Sequence, residues 1–205
     1  LISRCDPAIG LIRSWDFGEW NYPVIIDNMM NLEMLFWASK HTGDPKYRDV
    51  AARHADITMK NHFREDCSSY HVVSYNDDGT VESQGTFQGY SDSSAWARGQ
   101  AWGLYGYTMC YRETGDRRYL DHAERIAAFI MNHPATPEDR IPYWDYNAPD
   151  IPAAPRDASA AAVMSSALFE LSTLVPEGQK YFDYAETLLM NLSSDAYLAQ
   201  KGTNG

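Results

Sequence analysis

Two kinds of helical pattern alternate along the chain. Residues 28–39 (NMMNLEMLFWAS), 95–109 (AWARGQAWGLYGYTM) and 158–171 (ASAAAVMSSALFEL) are apolar or small on nearly every face. Helices of that kind have no polar side to give to water, so all three are expected to be buried. Residues 46–62, 118–131 and 180–192 are amphipathic instead. In the first of these, Tyr47, Val50, Ala51 and Ala55 share one face, while Arg48, Asp49, Arg53 and Asp56 lie largely away from it. The pattern predicts inner helices alternating with half-exposed outer ones, an all-α toroid, with a plain helical solenoid as the alternative.

A repeat joins the two kinds. TGDPKYRDVA at 42–51 returns as TGDRRYLDHA at 114–123, an offset of 72 residues (114 − 42), and YFDYA at 181–185 is a fainter copy. Gly43 and Gly115 suit the left-handed residue that ends a helix. Asp44 and Asp116 suit the cap of the next, and Pro45 suits its first turn. Each copy therefore reads as a helix–turn–helix junction.

Long non-helical segments precede the inner helices at 12–26, 68–94 and 133–159. Alternation around NDDG in the second predicts a β-hairpin. Loops of this length in a compact domain tend to be functional. In a toroid they converge on the end where the inner helices begin, an end that favours anions.

Polar clusters recur at those starts: Asp27-Asn28, SDSS at 91–94 and RDAS at 156–159. Asp27 sits in an apolar run, PVIIDNMMNLEML, where it is either a helix cap or a functional carboxylate. Arg98 on an inner helix needs an anionic partner, either Asp92 or Asp157 in a structural ion pair, or the carboxylate of a ligand. Trp15, Trp102 and Trp144 are either core residues or platforms for sugar rings. His71 is either a hydrogen-bonded strand residue or a site residue.

Composition narrows the field. The chain has 205 residues, 44% of them hydrophobic, and a formal net charge of −11. That charge argues against sequence-independent nucleic-acid binding, which needs a basic face. No apolar run approaches the length of a membrane span, and no signal peptide is visible in LISRCDPAIG, which lacks an initial Met. Three widely spaced cysteines without a CxxC make a zinc site unexpected and leave the compartment open, cytoplasm or periplasm alike. Acidity with 14 Tyr, 6 Trp and 7 Phe suits carbohydrate handling.

The segments RSWDF, PVIIDNMMNLEMLFWAS, QGYSDSSAWARGQAWGLYGYT, PYWDYNAP and RDASAAAV closely resemble the unsaturated glucuronyl hydrolases, glycoside hydrolase family 88. The resemblance runs through nearly the whole chain. It implies an (α/α)6 barrel, a bacterial source, no cofactor and no metal. It implies an unsaturated oligosaccharide left by a polysaccharide lyase as substrate. The family's acid/base aspartate falls on Asp27. Its substrate-contacting residues fall on His71, Gln88, Arg98 and Trp102, with Trp15 as a stacking residue. Trp144 joins this set as a further sugar platform. The family's second essential aspartate lies upstream of the matched region and has no counterpart here. The chain is thus expected to be the central part of one toroid domain, with about six of its helices and a small β-hairpin. Its first and last helical hairpins are expected to expose apolar side chains or to pack on protein outside this sequence, and the piece alone to be inactive and to aggregate or self-associate through its open edges. The related unsaturated rhamnogalacturonyl hydrolases, a non-catalytic sugar-binding toroid and a structural helical repeat are the alternatives.

Overall fold

The computed structural model describes residues 1–199, 201 and 202. The helices are α1 (Asn28–Thr42), α2 (Pro45–Asn61), α3 (Ala97–Thr114), α4 (Arg117–Asn132), α5 (Ala158–Leu174) and α6 (Gln179–Leu192). They form two layers. In the inner layer α3 lies between α1 and α5, and in the outer layer α2, α4 and α6 each pack on the inner helix that precedes them. Side-chain bonds then link the outer helices in order: Tyr119 donates to Asp56 at 3.0 Å, and Tyr181 to Glu124 at 3.3 Å.

The first two junctions form as the repeat predicts. Gly43 and Gly115 end their helices at φ 74° and 72°, and each amide donates back to the helix it leaves. Asp44 and Asp116 accept from the amides of Lys46 and Arg118 at the next helix start. The third junction differs: α5 ends on Val175 in extended backbone, and Gly178 precedes α6 without a side-chain cap.

The inner helices approach closely because the crossing residue has no side chain. A Cβ on Gly106 of α3 would collide with Cβ of Met29 on α1. Met29, Leu32, Leu104, Met164 and Leu168 fill the core between the inner helices and are fully buried.

Burial all round the inner helices does not hold. On α1, Met30, Met34 and Trp37 are 39%, 65% and 56% exposed. Residues 30, 34 and 37 recur at helical spacing, so they form one stripe. At the other end, Phe182, Leu189 and Met190 of α6 are also exposed. Apolar content predicts that a helix wants neighbours; it does not say which face has them.

The strands go beyond the predicted hairpin. Strands β4 (Val72–Tyr75) and β5 (Val81–Gly85) form it, and β3 (Pro23–Ile25) adds a third, antiparallel strand, with Ile25 opposite Val72. A separate small pair joins β1 (Cys5–Asp6) to β2 (Leu11–Ile12). The β3–β4 pairing positions the site. It holds the turn into α1 beside the start of β4, and the amide of Ile26 donates to the carbonyl of His71 at 3.0 Å.

Candidate active site

Asp27 occupies the position before the first turn of α1, yet its side chain makes no capping bond. The bonds that shape this turn come from neighbours. Ser14 Oγ accepts from the amide of Ile25 at 2.9 Å and from Asn28 Nδ2 at 3.1 Å. Ile26 and Met29 are fully buried on either side, and the Asp27 side chain is only 21% exposed. Its Oδ2 is buried without a hydrogen-bond partner among the described residues. Loss of hydration dominates and pushes its pKa up to about 6, against the opposing pull of its own backbone amide and the positive charge of Arg98.

His71 faces it. Its Nδ1 accepts from the backbone amides of Phe87 and Gln88, both at 3.1 Å. Two donors on one nitrogen leave that nitrogen unprotonated, so the proton of the neutral ring sits on Nε2. Nε2 lies 3.7 Å from Asp27 Oδ2, beyond hydrogen-bond distance, and has no other partner among the described residues. Burial pushes the His71 pKa down to about 4. The pair near neutral pH is therefore a neutral N–H donor facing a carboxyl group.

Gln88 is placed by the same contact, since its own amide is one of the two donors to His71. The segment behind it hangs on Asp145, a fully buried carboxylate in PYWDY. Its Oδ2 accepts from Tyr90 N at 2.9 Å and Ser94 Oγ at 2.7 Å, and its Oδ1 from Asn147 N at 2.8 Å.

Arg98, in the first turn of α3, donates from Nε to Asp157 Oδ2 at 3.1 Å, and its Nη2 lies at ion-pair distance from the same oxygen, also 3.1 Å. Asp157 Oδ1 meanwhile caps α5 through the amide of Ala160 at 2.8 Å. The structural partner is therefore Asp157, not Asp92, whose Oδ1 accepts from Thr86 N. Asp157 is buried and Arg98 is 38% exposed, with Nη1 outside the pair. Its guanidinium also lies over the ring of Trp96, which in turn contacts the ring of His71.

The tryptophans divide. Trp15 contacts Phe87, the residue before Gln88, with centroids 5.6 Å apart. Trp102 lies one turn beyond Arg98 on α3, edge-on to Tyr105. Trp144 packs in a small cluster with Tyr143, Ala148 and Ala154, and its carbonyl accepts from Ala97 N at the start of α3. Asp27, His71, Gln88 and Arg98 are thus linked directly or by field. Trp15 joins them through Phe87, and Trp102 and Trp144 flank the first turns of α3.

Three members went unread in the sequence. Trp96 and Phe87 adjoin named residues but carry no spacing signal of their own. Asp145 lies between aromatic residues in a proline-rich loop, a burial cue like that of Asp27. Among the described residues, no three His, Cys, Asp or Glu side chains cluster so as to hold a metal ion, and no helix is long and apolar enough to cross a membrane.

No family model matches the chain. It is 50% identical over 208 residues to an unsaturated glucuronyl hydrolase of Formosa agariphila, covering 100% of this chain and 52% of the relative. It is 37% identical to the unsaturated glucuronyl hydrolase of Bacillus sp. strain GL1, covering 94% of this chain and 52% of the relative. Among solved structures, an unsaturated glucuronyl hydrolase specific for heparin superposes with a TM-score of 0.96 at 59% identity, covering 98% of this chain and 55% of that one. The chain spans about half the length of the curated relatives it matches.

Proposed function

The chain belongs to the unsaturated glucuronyl hydrolase family, and on that footing we propose that it carries the proton donor for hydration of an unsaturated uronyl oligosaccharide. The observation that carries this reading is Asp27: a carboxyl group with its pKa pushed up to about 6, no capping bond, and a buried, unpartnered oxygen. A general acid near neutral pH needs that pKa, and desolvation supplies it.

The substrate is a vinyl ether. Asp27 gives its proton to C4, and the C4=C5 electron pair forms the new C–H bond. Positive charge develops at C5 and is shared with the ring oxygen. Water adds at C5 and loses a proton to the Asp27 carboxylate, which restores the acid. The resulting hemiketal opens by breaking the bond from C5 to the ring oxygen. C1 is left as a hemiacetal, which expels the rest of the saccharide. His71 Nε2–H points its proton at the region of Asp27 and binds a substrate oxygen there as a neutral donor. Arg98, with Nη1 outside its pair with Asp157, attracts the uronate carboxylate. Gln88 hydrogen-bonds the uronate ring, and Trp15, Trp102 and Trp144 flank it.

The six helices form, in this reading, part of an (α/α)6 toroid whose remaining helices lie outside this sequence. The double length of the relatives and the bare apolar stripes on α1 and α6 support it. The test is isotopic. In D2O enriched in H2-18O, the full-length protein should place one deuterium at C4 and one 18O at C5 of the released uronate. Cleavage with label at C1 alone refutes hydration of the double bond.

A further inference from the structure

Two buried histidines on the outer layer have no part in the chemistry above. His54 of α2 and His62, the residue that ends α2, are fully buried. They lie eight positions apart, so they share one face of the helix. Each reaches a segment that leads into Asp27. His54 Nδ1 accepts from the amide of Ile12 at 3.1 Å, and His62 Nε2 donates to the carbonyl of Val24 at 3.0 Å. Both neutral rings therefore carry their proton on Nε2: in His54 because Nδ1 accepts, and in His62 because a carbonyl can only accept. Burial pushes their pKa values down to about 3 and about 4, so both stay neutral where Asp27 titrates.

The other nitrogen of each ring, Nε2 of His54 and Nδ1 of His62, is buried without a partner among the described residues. Packing alone does not call for such rings, since an aliphatic side chain fills the space without stranding a polar atom. What each ring supplies is one directed bond, and both bonds lead to Asp27. Ile12 passes the first one on: its carbonyl accepts from Asn28 Nδ2 at 2.7 Å, the residue after Asp27. Val24 takes the second, three residues before Asp27, on the strand that pairs with β4. The carbonyl of His62 also accepts from Tyr70 N at 2.8 Å, next to His71. One outer helix thus holds the chain on both sides of Asp27.

We infer that His54 and His62 are positioning residues, which hold the backbone before and after Asp27 so that its carboxyl group stays turned away from the α1 amides and beside His71. This rests on the functional reading above and names what keeps its acid in place. Without either bond the turn is free to relax. Asp27 then gains water or a capping bond, and both favour the anion.

The test uses the difference between the two ring nitrogens. Oδ1 of Asn stands where Nδ1 of His does, and Nε2 of Gln stands where Nε2 of His does. In the full-length protein, His54→Asn should keep its bond and His54→Gln lose it; His62→Gln should keep its bond and His62→Asn lose it. Turnover of an unsaturated uronyl disaccharide is followed by loss of the double bond's ultraviolet absorbance. The two variants without the bond should lose about ten- to a hundredfold in kcat with little change in KM. Their alkaline limb in kcat/KM should move from about pH 6 toward 3.8, the ordinary carboxyl value. The two variants that keep the bond should stay near wild type in both. A lowered Tm with kcat and the limb unmoved makes the residues merely structural and overturns the inference, and so does the same amide preference at both positions. Should a variant fail to fold, Asn28→Ala decides, because it cuts the path from His54 at its last bond: a lowered limb upholds the inference and an unmoved limb overturns it. No turnover by the wild type overturns the functional reading instead. Calorimetry at pH 8 then decides the positioning: the rise in Tm produced by Asp27→Asn should persist beside His54→Asn and vanish beside His54→Gln, and a rise kept in both overturns it.

Discussion

Replacing Asp27 by Asn keeps the shape of the side chain and removes its transferable proton. Two effects of opposite sign should follow. The rate should fall by about 10²–10⁴ through loss of general acid catalysis. Stability should move the other way. The folded state raises the Asp27 pKa from 3.8 to about 6, so it binds the proton more tightly than the unfolded chain does. Stability from that proton is fully present below pH 3.8 and is lost as pH rises through about 6. The gap corresponds to about 3 kcal/mol at about 1.4 kcal/mol per pKa unit. The 21% of the side chain open to water screens the charge and brings this nearer to about 2 kcal/mol. Asn carries no charge at any pH, so it escapes this cost. At pH 8 the Asn variant should melt a few degrees above the wild type; at pH 4 the two should coincide. Calorimetry at both pH values and the ultraviolet assay on the full-length protein measure both effects. Near wild-type turnover would refute Asp27 as the acid. An unchanged or lowered Tm at pH 8 would refute its desolvation.

Arg98→Lys keeps a charge beside Asp157 but loses the planar fork, so KM should rise several-fold with little change in Tm, whereas Arg98→Ala leaves Asp157 buried and unpaired and should cost about 1–3 kcal/mol by denaturant titration. A collapse of stability in the Lys variant would make Arg98 purely structural. His71→Ala removes the acceptor of two backbone N–H groups, so hydrogen exchange should quicken at Phe87 and Gln88. Burial pushes the His71 pKa down to about 4, so an alkaline fall in kcat/KM beyond about pH 6 is expected from Asp27 and should persist in that variant's residual activity; its absence there would assign the limb to His71. Gly106→Ala drives a Cβ into that of Met29 and should destabilise by about 1–3 kcal/mol, with kcat falling as the first turn of α1 shifts; a neutral Tm would show that α1 and α3 separate freely.

Much of the fold was legible because its signals are local. The αL glycines, the capping aspartates and the 3.6-residue period each lie within one turn of chain, and Gly43, Gly115, Asp44 and Asp116 behave as their spacing predicts. What was not legible is non-local. Strand β3 has three residues, begins with Pro23, and exists because of Val72–Ser74, about 50 positions on. Phe17 and Phe87 are 70 positions apart and form one surface through Trp15. The site residues were named on their motifs, but their couplings were not. Nothing in the sequence says that His71 holds Gln88 by its backbone, or that Arg98 chooses Asp157 over Asp92.

Sequence alone also leaves two forces on Asp27 opposed, since an apolar setting raises its pKa and a helix N-terminus lowers it. The backbone explains why desolvation wins. Among the described residues, four aspartates stand immediately before a helix. Asp44, Asp116 and Asp157 have extended ψ angles of 112°, 111° and 90°, and each accepts a capping bond from the helix it precedes. For Asp44 and Asp116 the side chains of Lys46 and Arg118 hold the pKa below the ordinary value, and the capping bonds from the same residues' amides add to it. Asp27 instead has φ −58° and ψ −26°, already helical, and accepts no such bond. A capping side chain needs extended backbone to fold back over the first amides. In helical backbone it projects away from them and loses the bonds through which a helix end most strongly favours an anion. The β3–β4 pairing carries the chain into that conformation, because Ile26 is bonded to His71 before the helix begins. The strand too short to read from the sequence is therefore what turns an ordinary capping aspartate into one poised near pH 6.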